Sequence, residues 1–151
     1  MGDSLTEAAV KSELGKGIPM PLKHGKNLYK LKFDLPDAKL WDLETPYLYQ
    51  LHAAVLVNGT CIDRLARQFG MRSFTQDTES PQRKGMFYLN GRSIRLRGAN
   101  TMGFEQQDVL RGDLPQLIDD ILLAKLCNMN FLRLTQRPVQ DEVYEYCDKL
   151  G

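Results

Sequence analysis

The chain has 151 residues, room for one ordinary domain or two incomplete ones, and at 42% hydrophobic and 26% charged it is composed like a globular protein rather than a disordered one. Its formal net charge of +1 gives no electrostatic footing for nucleic acid or an anionic membrane. Three widely separated cysteines, Cys61, Cys127 and Cys147, contain no C-x-x-C pair, which argues against a zinc site or a disulfide framework and for buried free thiols in a reducing compartment.

The N-terminal Met1-Gly2-Asp3-Ser4 lacks the basic and apolar regions of a signal peptide, and no apolar run approaches the ~20 residues that span a bilayer, so the chain reads as soluble. Residues 8–14 suit either an edge strand or a short helix. From Asn27 to about Thr75 the pattern is that of strands. Residues 28–33 alternate in polarity, and residues 47–57 are long and rich in aromatic and β-branched side chains. Asn58-Gly59 ends that run as a two-residue hairpin turn should, both positions tolerating φ > 0. The next strand is expected from Cys61 to Phe69, continuing past Gly70 to Phe74, and the three form an antiparallel meander, one wall of a β-sandwich.

Residues 77–85 are polar, contain Pro81 and Gly85, and read as a linker. Beyond them, residues 86–89 and 92–94 flank a second hairpin signal, Asn90-Gly91, and residues 94–98 read as a further strand followed by a polar loop over 100–112. Asp113 is a helix N-cap with Pro115 in the first turn, and Leu114, Leu117, Ile118, Ile121 and Leu122 form one apolar stripe. Residues 131–134 make a short strand, Pro138 stops it, and residues 140–150 resume helical spacing through Val143, Cys147 and Leu150. The second half is therefore β-α-β-α, the grammar of a parallel sheet: the start of an eightfold barrel or part of a doubly wound sheet.

Particular residues narrow this choice. Leu40-Trp41, Pro46 and Leu48-Tyr49 resemble the "LW-x-x-x-x-P-x-LY" signature of the Ig-like domain of glycoside hydrolase family 2, and Phe69-Gly70-Met71-Arg72 resembles that domain's last strand. The run from Phe87 to Asn100 resembles the "F-x-LNG-x-x-x-x-LRG-x-N" segment that enters the family's barrel. Asp120 to Leu123 with Asn128 to Arg133 is similar to its first helix and second strand, and Tyr146 to Gly151 to the close of its second helix. The likeness covers about Asn27 to Gly151 in unbroken order. It implies a mixed fold, a partial Ig-like antiparallel β-sandwich over 1–76, a linker over 77–85, and the first two βα units of a (β/α)8 TIM barrel over 86–151.

The resemblance also implies retaining β-glycosidase chemistry, β-galactosidase-like, in which one carboxyl acts as acid/base and a second as nucleophile. The family carries its two glutamates after the fourth and seventh barrel strands. Neither motif occurs here, so no catalytic residue is expected and the chain alone should be inactive. Glu44, Glu79, Glu105, Glu142 and Glu145 read as solvated surface carboxylates.

Barrel sites form at the C-terminal ends of the strands. Where the family commonly has "N-R-H-E", this chain has Asn100-Thr101-Met102-Gly103, and where it has "S-H-Y-P", this chain has Thr135-Gln136-Arg137-Pro138. Asn100 and Pro138 match; the usual imidazoles do not. Asn100, Arg133, Gln136 and Arg137 are accordingly the expected substrate-binding residues: Gln136 to donate to a hydroxyl, Arg137 to face a carboxylate or sulfate, and Arg133 to orient a catalytic carboxylate. Arg97 is expected to pair structurally. His24 and His52 have no companion at ligand spacing, so neither metal nor cofactor is expected. Asn58-Gly59-Thr60 matches a glycosylation sequon, but its turn role suffices, and Trp41 is expected to anchor its loop on the sandwich core. The expected partner is a carbohydrate substrate of a larger parent enzyme, with homo-oligomers forming through exposed barrel edges. A non-catalytic carbohydrate-binding or assembly module is the alternative.

Overall fold

The computed structural model describes residues 7–10, 18–21, 23–32, 34–134 and 138–151. They fall into two compact units, the first made of Met1–Ala38 and Tyr49–Phe69, the second of Lys39–Leu48 and Gly70–Gly151.

The first unit is a four-stranded antiparallel sheet in the order β2-β1-β3-β4. Its strands are β1 (Glu7–Val10), β2 (Ile18–Pro21), β3 (Tyr49–Val57) and β4 (Thr60–Phe69). The ambiguous N-terminal stretch is thus a strand where it is described. β3 and β4 form the expected hairpin, with Asn58 at φ 50° and Gly59 at φ 79°, the left-handed geometry of a tight turn. Tyr49 and Phe69 stack across its open end at 5.6 Å. The strand expected over 28–33 does not form: residues 28–32 are irregular, and Phe33 lies outside the described residues. β1 and β4 already occupy both edges of β3, so the order is not a three-strand meander.

In the second unit, β5 (Phe74–Gln76), β6 (Phe87–Leu89) and β7 (Arg92–Ile94) make a small antiparallel sheet. The strand expected to run through Gly70 therefore breaks, with Phe74 pairing Leu89. A Cβ at Gly70 would lie 2.9 Å from the Trp41 Cβ, so only glycine lets the backbone pass there. Residues 77–85 are the loop between β5 and β6, and Asp77 Oδ1 accepts the Glu79 and Ser80 amides within it. Asn90 (φ 50°) and Gly91 (φ 76°) turn β6 into β7.

β8 (Gly98–Thr101) and β9 (Phe131–Leu134) pair in parallel. β7 and β8 are separate strands, because β7 serves an antiparallel ladder and β8 a parallel one. Between β8 and β9 lie α1 (Phe104–Arg111) and α2 (Leu114–Leu126), and α3 (Asp141–Leu150) follows. The polar stretch expected as a loop over 100–112 is thus the end of β8 plus a helix. Its sequence hides it, since α1 carries no apolar stripe and is bounded by glycines, Gly103 (φ 89°) and Gly112 (φ 75°), rather than by a side-chain cap. α2 starts as expected, with Asp113 Oδ1 accepting the Gln116 amide at 3.2 Å.

Leu117 and Val143, both 0% exposed, form the centre of the core with Ile121. Val109, Leu114, Leu134, Val139 and Cys147 pack around them, joining all three helices to β9. Leu122, expected in this stripe, faces outward instead. Among the described residues no helix is long and apolar enough to cross a membrane.

Candidate functional site

The expected site lies where β8 and β9 end. A strand alternates its faces, so with Leu134 packed on the helical core, Arg133 points to the opposite face of the pair. Asn100 stands directly across from it in the register, and Arg133 Nη1 donates to Asn100 Oδ1 at 3.2 Å. Both side chains remain exposed, with the guanidinium on the face that the helices leave open. Gln136 and Arg137 lie outside the described residues.

The opposite ends of the strands are locked. Arg97 Nε donates to the Asn128 carbonyl at 2.9 Å and Nη2 to Asn128 Oδ1 at 3.0 Å. Its amide donates to Asn130 Oδ1 at 2.8 Å, while the Asn130 amide returns a bond to the Arg97 carbonyl, also at 2.8 Å. Asn128 takes the left-handed conformation (φ 61°) that this approach to β9 requires. Arg97 is therefore a structural clamp, as its pattern suggested, and it fixes the register that sets Asn100 against Arg133.

At the site end, Thr101 is buried, Met102 is exposed, and Gly103 turns the chain into α1. Two carboxylates one turn apart on that helix, Glu105 (8% exposed) and Asp108 (6% exposed), are buried, and their Oε2 and Oδ2 atoms have no hydrogen-bond partner among the described residues. This corrects the expectation that Glu105 is a solvated surface group: α1 packs on α2 and α3, which covers that face. Burial raises the Asp108 carboxyl above the ordinary carboxylate range, Asp120 and Asp113 add to the rise, and Arg111 opposes it. Burial likewise pushes the Cys147 thiol up to about 11, with Asp148 and Glu105 contributing. No sequence pattern flagged these carboxylates, and only the i,i+3 spacing between Gly103 and Gly112 could have done so.

Trp41 does not reach the core of a sandwich. It belongs to the second unit, 7% exposed, and its Nε1 donates to the Asp148 carbonyl at the end of α3 at 2.7 Å.

Two family models match this chain: Glycosyl hydrolases family 2 over residues 4–72, and Glycosyl hydrolases family 2, TIM barrel domain, over residues 82–151. The chain belongs to glycosyl hydrolase family 2. A putative β-glucuronidase of Formosa agariphila is 36% identical over 83% of the chain and 15% of its own length. The β-galactosidase BoGH2A of Bacteroides ovatus is 26% identical over 97% of the chain and 16% of its own length. A β-galactosidase of Erwinia tasmaniensis is 31% identical over 89% of the chain and 13% of its own. The chain thus spans only about 13–16% of the length of these family 2 relatives.

Among solved family 2 structures, the β-galacturonidase of Eisenbergiella tayi bound to galacturonate superposes with a TM-score of 0.69 at 19% identity, covering 97% of this chain and 26% of that one. The exo-chitosanase CsxA of Amycolatopsis orientalis gives 0.71 at 19% identity, covering 97% of this chain and 18% of that one. These likenesses speak to the fold, a mixed one of antiparallel sheets followed by a parallel, helix-connected pair.

Proposed function

We propose that the chain is part of a retaining β-glycosidase, β-galactosidase-like, that it supplies the first two βα units of the catalytic barrel, and that it has no glycosidase activity alone. The observation that carries this reading is the Asn100–Arg133 pair, two polar side chains on the helix-free face of adjacent parallel strands. In a closed barrel that face is the interior and its C-terminal end the site. An arginine held there, among the described residues, by one neutral amide has the donor geometry for a carboxylate, either a catalytic glutamate from another strand or a substrate group. The family's lengths support the larger parent, and the absence of both glutamate motifs from the 151 residues supports inactivity. Retaining hydrolysis needs two carboxyl groups about 5–5.5 Å apart across the scissile bond.

Incubating the purified chain with chromogenic β-galactoside and β-glucuronide tests the reading. No turnover is expected, and release of the chromophore above a buffer control would overturn it.

A further inference from the structure

We propose that Lys39–Leu48 is a strap over the α/β elements of the second unit, and that Arg72 is the latch that keeps it closed. The strap has no helix or strand of its own, and among the described residues its one ladder-type backbone pairing is an isolated bridge between Leu40 and Met71. It is held by single side chains. Asn90 Nδ2 donates to the Trp41 carbonyl at 2.8 Å, and Lys125 Nζ donates to the Leu43 carbonyl at 3.0 Å while also bonding the Leu150 carbonyl. The Trp41 indole N–H supplies a third tie, to the Asp148 carbonyl.

Arg72 acts on both partners of that third tie. Its guanidinium lies 4.4 Å from the centre of the Trp41 ring and 2.7 Å from Asp148 Oδ1. A planar guanidinium can stack on an aromatic face and pair with a carboxylate at once, which an ammonium cannot do as well. One residue therefore joins the strap to the last turn of α3. Trp41 and Leu43 of the strap line one apolar cavity of about 220 Å³ together with Ile121, Leu132, Leu134 and Cys147.

The ties are local. They reach the end of α2, the end of α3 and the β6–β7 turn, and none of these three is a hydrogen bond to Leu117, Ile121 or Val143. Releasing the latch thus loosens the strap at Trp41, beside the cavity, without unfolding the core, the behaviour of a low-stability local opening unit. Both partners of the ion pair are partly exposed, so salt weakens the latch.

Trp41 is the one tryptophan of the chain, so its indole N–H gives a single, unambiguous exchange probe. Hydrogen exchange followed by NMR in the intact chain should show that proton exchanging roughly tenfold faster in Arg72→Ala, with Arg72→Lys in between and the Ile121 amide unchanged. An unchanged indole rate in Arg72→Ala would overturn the proposal. So would an Ile121 amide that accelerates in step with the indole, since that is global rather than local opening. If Arg72→Ala does not fold, the unsubstituted chain decides. Raising salt to about 1 M, where the screening length is about 3 Å, should speed the indole proton alone, and a salt-independent indole rate refutes the latch.

Discussion

Arg133 on β9 faces Asn100 on β8 across the parallel register, and its guanidinium donates to the Asn100 carboxamide oxygen at 3.2 Å. The pair is exposed and lies on the face of the strands opposite the helical core. It therefore contributes little to holding the unit together, although it occupies the position from which a barrel would address its ligand.

That separation of stability from site sets the first prediction. Arg133→Ala and Asn100→Ala should each change the unfolding free energy by no more than about 0.5–1 kcal/mol, because an exposed neutral–charged contact is largely replaced by water. Leu117→Ala, at a fully buried position, should cost about 2–5 kcal/mol. Urea unfolding followed by circular dichroism compares them, and a loss on Arg133→Ala matching that on Leu117→Ala would make Arg133 a structural residue.

Asp108 sets a pH dependence. Its folded-state carboxyl is raised, chiefly by burial and then by Asp120, so the folded chain binds that proton more readily than the unfolded chain. The resulting stabilisation is fully present below the ordinary carboxylate range and is lost as pH rises through the raised value. At neutral pH the ionised carboxylate burdens the α1–α2 corner. Asp108→Asn should therefore raise the melting temperature at pH 7 and reduce the stability gained on acidifying through that window. Thermal melts of both proteins from mildly acidic to neutral pH provide the comparison, and parallel curves would show that Asp108 is not the group responsible.

The sequence made visible the elements whose signals are local. Asn58-Gly59 and Asn90-Gly91 turn where their tolerance of positive φ places them, and Asp113 caps α2. β9 and α3 also lie where pattern and proline put them, to within a residue. Features decided by long-range contact were illegible. α1 could not be seen because it buries Glu105 and Asp108 rather than an apolar stripe, and Trp41 finds its partner 107 residues away, at Asp148. The site was legible only in part: motif placed Asn100 and Arg133 at strand ends, but their pairing depends on a register that Arg97, Asn128 and Asn130 set from the opposite end.

Self-association is the third expectation. On α2, Leu122, Leu123 and Leu126 fall on one helical face and are exposed, Leu126 by 83%. β8 and β9 pair only with each other among the described residues, which leaves an outer edge on each. The chain should run larger than its 17.2 kDa in light scattering at micromolar concentration. Leu123→Glu with Leu126→Glu should shift it toward monomer, and a monodisperse monomer without substitution would refute the expectation.

Gly98 provides the sharpest structural test, since it begins β8 opposite Phe131 in the parallel pair. A Cβ placed there would sit 1.8 Å from the Phe131 carbonyl oxygen and 2.7 Å from its carbonyl carbon, both backbone atoms that cannot swing aside. Overpacking commonly costs about 1–3 kcal/mol where side chains can adjust. Gly98→Ala should meet or exceed the top of that range, because relief requires β8 and β9 to move apart at the end that Arg97 ties to Asn128 and Asn130. Amide exchange at Ala99 to Thr101 should then lose protection together with residues 131–134, while the β3–β4 hairpin keeps its own. If Gly98→Ala instead unfolds at the same denaturant concentration as the parent chain, the close parallel approach of β8 to β9 is not the one described, and Asn100 need not stand opposite Arg133.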